Sequence, residues 1–144
     1  MRYWDSSALV PLLVVESTSA AMEALLAEDG SIVTSWGTPI ECASAIGRRE
    51  RDGSLQAAEI VVALQKLAAL ETAWVEVAPS ERVRAAARRL VRVHDLGSAD
   101  AVQLASALVA SDRNEEPMPF VTLDDRLGLA AGREGFPVQP LRLD

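Results

Sequence analysis

Residues 2–13, Arg2-Tyr3-Trp4-Asp5-Ser6-Ser7-Ala8-Leu9-Val10-Pro11-Leu12-Leu13, hold a short β-prone run, one acid, a pair of serines and then an apolar stretch. Residues 2–4 read as a strand that stops at Asp5, and Ser6 can cap a helix carrying Leu9, Val10, Leu12 and Leu13. Pro11 falls in the first turns of that helix, where proline is tolerated. The alternation of strand and helix then repeats. A helix over 19–27 closes at Asp29-Gly30, and a strand follows over 31–35. Thr38-Pro39 starts a helix that runs through Glu41 to Arg51 and ends at Asp52-Gly53. Ser54 caps a longer helix to Leu70, with Ile60, Val61, Leu64 and Leu67 on one stripe. Residues 73–77 form a third strand, and Pro79-Ser80 opens a helix whose Val83, Ala86, Ala87, Leu90 and Val91 share a face. Gly97-Ser98 begins another helix, over 99–110, apolar nearly all round and so expected to be buried. A polar loop over 111–119 leads to a strand at 120–123, a short helix at 126–131 and a last strand at 138–141. This order predicts an α/β three-layer sandwich, a mostly parallel sheet of about five strands with helices on both faces.

The 144 residues carry 14 Lys plus Arg against 21 Asp plus Glu, a formal charge of −7. A chain this long buries roughly 70% of its unfolded surface, so one domain over 1–144 can hold its core without disulfides or structural metals. The lone Cys42 excludes a disulfide framework and a Cys-rich zinc site, and a reducing, cytoplasmic setting is expected. The longest apolar run, residues 8–15, is 8 residues, too short to span a bilayer, and Asp5 interrupts the positive start a signal peptide needs. Binding of nucleic acid through a basic surface alone is disfavoured by the negative excess. Of the 14 basic residues 13 are arginine, so any chemistry that needs a lysine must use Lys66, in mid-helix by pattern.

A parallel sheet binds ligands beyond the carboxyl ends of its strands, near the point where strand order reverses. Asp5 and Asp124 each follow a strand and face that edge. A crossover helix runs antiparallel to its strands, so its first turn sits there too, which brings in Asp100 and Glu41. Four carboxylates with no lysine nearby resist joint ionisation unless a cation joins them. Hard oxygen ligands with room for water suit Mg²⁺ or Mn²⁺ better than zinc, and an ion so held performs phosphodiester chemistry readily.

Three segments carry a resemblance: Tyr3-Trp4-Asp5-Ser6-Ser7-Ala8-Leu9-Val10, Ser98-Ala99-Asp100-Ala101-Val102-Gln103-Leu104-Ala105-Ser106-Ala107, and Phe120-Val121-Thr122-Leu123-Asp124-Asp125-Arg126-Leu127. Together they resemble the acidic motifs of PIN-domain ribonucleases, in particular the VapC-type toxins of toxin–antitoxin pairs, in length, motif order and spacing. The resemblance implies a PIN-like sandwich and Mg²⁺- or Mn²⁺-dependent endonucleolytic cleavage of RNA by metal-activated water. It implies metal-binding, catalytic roles for Asp5, Glu41, Asp100 and Asp124, and supporting hydroxyls at Ser7 and Thr122. The family's Thr-x-Asp spacing selects Asp124 over Asp125. It further implies a cognate antitoxin partner, and a homodimer is expected through an Ala/Leu-rich helix face.

Other residues have plainer readings. Arg48 lies two helical turns from Glu41 on the same side and is a candidate contact for RNA phosphate. The arginines over 82–92 read as a solvated face, His94 as an exposed loop residue, Cys42 as a small buried one, and Trp4, Trp36 and Trp74 as core or interface. Two alternatives stay open: a PIN-type nuclease of RNA processing without a toxin role, and a phosphoaspartate-type phosphatase or receiver domain. The latter also places an aspartate at a strand end but needs a lysine near the phosphoryl group.

Overall fold

Tyr3 and Trp4 are neighbours in the chain and both fully buried, yet they enter different cores, because successive side chains of a strand point to opposite faces. They belong to β1 (Arg2–Trp4) of the computed structural model, which describes residues 1–141. The chain continues through α1 (Ser6–Leu13), α2 (Ser19–Glu28), β2 (Ile32–Ser35), α3 (Thr38–Arg51), α4 (Ala57–Ala73) and β3 (Val75–Val77). It closes with α5 (Glu81–Val93), α6 (Ser98–Ser111), β4 (Phe120–Val121), α7 (Asp125–Arg133) and β5 (Val138–Gln139). The five strands form one sheet in the order β3-β2-β1-β4-β5, and every pairing is parallel.

On one face Tyr3, Val33 and Phe120 meet α5, α6 and α7 through Leu90, Leu104 and Leu127. Tyr3 and Phe120, paired across the strands, stack with ring centroids 5.2 Å apart. On the other face Trp4, Ile32 and Val121 meet α1 to α4 through Leu9, Met22, Ile46 and Leu67. Both faces are therefore covered, as a parallel sheet requires, and the expected three-layer α/β sandwich is the observed one.

Several expectations need correction. Asp5, not Ser6, occupies the N-cap position of α1, and Pro11 is the sixth of its eight residues. The helix after Asp52-Gly53 starts at Ala57 rather than at Ser54, because Gln56 and Glu59 form a reciprocal capping box. It runs on to Ala73, which shortens the following strand to β3. Its buried residues are Ala63 and Leu67, while Val61 and Leu64 are exposed. Gly97 is the N-cap residue of α6, which therefore starts at Ser98, one residue before the expected 99. His94 is not an exposed loop residue: its side chain is 6% exposed and its Nε2 lies 2.7 Å from Glu134 Oε1. Arg89 also binds Glu134, and this pairing holds the Glu134 carboxyl below its usual range.

Candidate active site

From β1 the sheet grows outward through β2 and β3, and the chain then crosses back to set β4 on the other flank of β1. The reversal opens a crevice beyond the carboxyl ends of β1 and β4. Trp4 pairs with Val121, and the Asp5 N–H donates to the Val121 carbonyl at 3.1 Å, which sets Asp5 beside Thr122. A cavity of about 580 Å³ occupies this crevice, lined by Asp5, Glu41, Asp100 and Asp124 together with Ser7 and Arg48. All four expected acids, drawn from four separate stretches of chain, thus reach one place. Thr122 lies just behind the lining, its hydroxyl 3.3 Å from Ser7 Oγ.

Each acid is held by a local device. Ser7 Oγ donates to Asp5 Oδ1 at 2.8 Å and accepts the Leu123 N–H at 2.9 Å, so one hydroxyl ties the β1 end to the β4 end. Asp124 caps α7, its Oδ1 accepting the Leu127 N–H at 2.8 Å, while its own N–H donates to Thr122 Oγ1 at 3.1 Å. Glu41 sits in the first turn of α3, where the helix dipole favours a carboxylate. Its Oε2 accepts Ser6 Oγ–H at 2.6 Å and its Oε1 accepts Gln103 Nε2–H at 3.0 Å. Asp100 occupies the first turn of α6.

Gln103 was missed in the sequence. Fully buried in α6, it also donates to Thr38 Oγ1 at 2.9 Å and accepts the Tyr3 hydroxyl at 2.7 Å, joining β1, α3 and α6 beneath the crevice. The available signal was a polar side chain three residues after Asp100 inside an otherwise apolar helix. Glu16 and Arg49, also unassigned, line the crevice as an ion pair. Arg48 Nη1 donates to Ser44 Oγ at 3.2 Å and has no acidic partner among the described residues. Lys66 is exposed on α4 and does not line the crevice, which removes the lysine that a phosphoaspartate mechanism needs.

The crevice is electrostatically loaded. Burial pushes the Asp5 carboxyl up to about 7; the Ser7 and Thr122 hydroxyls oppose that rise, and Asp100 adds to it. Asp100 is raised as well, by burial first and then by Asp124 and Glu41, with Arg126 pulling the other way. Among the described residues no three Asp, Glu, His or Cys side chains are gathered into a ready-made metal cage. The fit to an ion rests on the donors: hard carboxylate oxygens that repel one another around an open space, with no lysine to neutralise them. Acids spread around a cavity suit a small hard cation that keeps several of its waters.

A family model described as PIN domain matches residues 2–132. The chain is 32% identical over 145 aligned residues to Ribonuclease VapC45 of Mycobacterium tuberculosis (strain CDC 1551 / Oshkosh), with 99% of this chain and 96% of that one covered. It has the same identity and coverage with Ribonuclease VapC49 of Mycobacterium tuberculosis (strain ATCC 25618 / H37Rv). The match runs through every strand of the sheet except β5 and takes in all four acids of the crevice, so the chain belongs to the PIN domain family and to its VapC branch.

Proposed function

We propose that this chain is a divalent-metal-dependent endoribonuclease, the toxin of a VapBC-type toxin–antitoxin pair, hydrolysing RNA phosphodiester bonds. The observation that carries this reading is the crevice, where four carboxylates meet at the strand-order reversal with Arg48 beside them. The ribonuclease names of the two relatives agree with it. Asp5, Glu41, Asp100 and Asp124 would hold Mg²⁺ or Mn²⁺, which supplies water activation and neutralises charge on the leaving oxygen. The protein's own work is positioning. Ser7 and Thr122 orient Asp5, Gln103 and Ser6 orient Glu41, and the α7 cap orients Asp124. Arg48 offers its guanidinium to an RNA phosphate.

The reading carries partners with it. An antitoxin would present an arginine to the acids of the crevice, replacing the charge of the ion, and the acidic balance of this chain suits a basic partner segment. A second copy of the chain would cover the outward apolar side of α4, where Val61, Val62 and Leu64 are exposed. No helix among the described residues is long and apolar enough to cross a membrane; the chain would act in the cytoplasm.

The test is cleavage of single-stranded RNA by the purified chain with Mg²⁺ or Mn²⁺, with EDTA, and by Asp100→Asn. Cleavage is expected with either metal and is lost in EDTA and in the variant, whose circular dichroism matches the wild type. Undiminished cleavage in EDTA would overturn the reading, since no lysine lines the crevice and the single His94 is buried against Glu134.

A further inference from the structure

The acidic crevice has a second end. Its lining holds five carboxylates, from Asp5, Glu16, Glu41, Asp100 and Asp124, and two guanidinium groups, from Arg48 and Arg49. Along α3 the arginines follow Glu41 by seven and eight residues, about 10–12 Å of helix rise, so they stand apart from the acids within one cavity. The cation that eases Asp100 is Arg126 of α7, not either of these. Arg49 is held in place. Its Nη2 pairs with Glu16, and its Nη1 donates to the Ala45 carbonyl at 3.1 Å. Glu16 in turn is fixed between α1 and α2, its N–H donating to Ser19 Oγ at 2.9 Å and that hydroxyl donating to the Pro11 carbonyl at 2.7 Å. The Arg49 and Glu16 side chains are 27% and 29% exposed, so the pair is better shielded than a solvated surface bridge yet still open to the cavity. Arg48, one residue earlier, is exposed and donates to Ser44 Oγ at 3.2 Å.

Charge decides what such a cavity can hold. Its carboxylates outnumber its guanidinium groups, and one divalent ion at the acids does not reverse that balance. A phosphodiester strand lying in the cavity therefore needs its flanking phosphates met by cations away from the acids, and among the described lining residues Arg48 and Arg49 are the cations on offer. A guanidinium carries five N–H donors in a fork; the contacts with Glu16 and Ala45 use two of those on Arg49 and leave the others for phosphate oxygens. The distance along α3 from Glu41 to this pair is one that a few nucleotides of single strand cover. We infer that the α3 end of the crevice is a second phosphate subsite: Arg49, with Arg48 beside it, binds a non-scissile phosphate of the RNA strand, and Glu16 is the positioning residue that holds the Arg49 fork toward it. The inference rests on the ribonuclease reading and adds a demand on the substrate, a charged strand that continues past the cut toward α3.

The test removes phosphate charges one at a time. A single-stranded RNA is prepared with one non-scissile linkage replaced by an uncharged methylphosphonate on a 2′-O-methyl ribose, position by position, with the 2′-O-methyl phosphate as control. Cleavage kinetics are compared for wild type, Arg49→Ala, Arg49→Lys, Glu16→Gln and the double variant Glu16→Gln, Arg49→Ala. On the fully charged RNA, Arg49→Ala is expected to raise KM about tenfold with kcat changed less than about twofold, and to reduce the slope of log KM against log salt by about 0.7. Arg49→Lys recovers part of the loss, since lysine keeps the charge without the fork. Glu16→Gln raises KM about threefold by itself and adds nothing to Arg49→Ala, because it acts through that arginine. At one linkage the methylphosphonate costs the wild type as much as Arg49→Ala does, and there the variant loses nothing more. An Arg49→Ala penalty that is equal at every neutral linkage, or absent, overturns the subsite and leaves the ribonuclease standing. A Glu16→Gln penalty that persists in the double variant overturns the positioning role and makes Glu16 a brace of the fold. Binding of the same RNAs to Asp100→Asn, read by fluorescence anisotropy, separates the two readings: the single-linkage pattern in binding, with no cutting by the wild type, keeps the subsite and sinks the ribonuclease.

Discussion

Asp5 illustrates what a binding site costs its own fold. In the metal-free protein its carboxyl is raised from 3.8 to about 7, so between those values the folded chain holds a proton that the unfolded chain releases. Stability from this group is therefore greatest at low pH, falls as pH rises through that window, and stays low above it. Asp5→Asn keeps the acceptor for Ser7 and removes the charge. It is expected to melt above the wild type at pH 8 in EDTA, by up to ~4 kcal/mol, with the gap closing toward pH 4. Equal melting temperatures across the titration would show that Asp5 is not desolvated as its burial implies. Gln103 makes the opposite case. Gln103→Leu fills a similar volume but removes the acceptor of the buried Tyr3 hydroxyl and one donor to Glu41, and a loss of about 1–3 kcal/mol is expected in urea melts. Its RNA cleavage should fall further than that stability loss explains, because Glu41 is then oriented by Ser6 alone.

Among the elements, helix starts are set by short-range chemistry. Ser80 Oγ accepts the Val83 N–H at 3.2 Å and fixes the first turn of α5 against the sheet. Ser80→Ala should cost about 1 kcal/mol and roughly 4 °C in melting temperature, read by calorimetry. No change would mean that α5 is held by its packed face of Val83, Ala87 and Leu90 alone. α4 shows the other outcome of the same chemistry, where Gln56 and Glu59 cap each other and displace the start that Ser54 suggests. Gly128 in α7 faces Thr122 and Val138, and a Cβ added there would meet their methyl groups at the ordinary contact distances of 3.4 and 3.5 Å, so α7 lies close against the end of β4 and β5.

The whole molecule combines a net charge of −7 with an arginine stripe along α5 and a concentrated acidic crevice. A neutralising ion or a basic partner both answer that distribution. Induction in a host cell is expected to arrest growth, Asp5→Ala to relieve the arrest, and purification after expression of the native operon to bring a basic partner with the chain. Recovery of the chain alone, active on RNA and harmless when overproduced, would remove the toxin role and leave a PIN-type ribonuclease.

The order of strands and helices, the α/β sandwich and the placement of Asp5, Glu41, Asp100 and Asp124 at one sheet edge were legible in the chain, because apolar periodicity and the rule for parallel sheets act locally and by topology. The covered face of α5 was legible as well, and that of α4 was not. Ile60, Val61, Leu64 and Leu67 look alike as a pattern, yet only contact with the neighbouring helices selects Leu67 for burial and leaves Val61 and Leu64 outside. The partners of polar residues were hidden for the same reason. Gln103 meets Tyr3, 100 positions away, and His94 meets Glu134, 40 positions away, and no local signal marks a hydrogen bond closed only when distant elements pack.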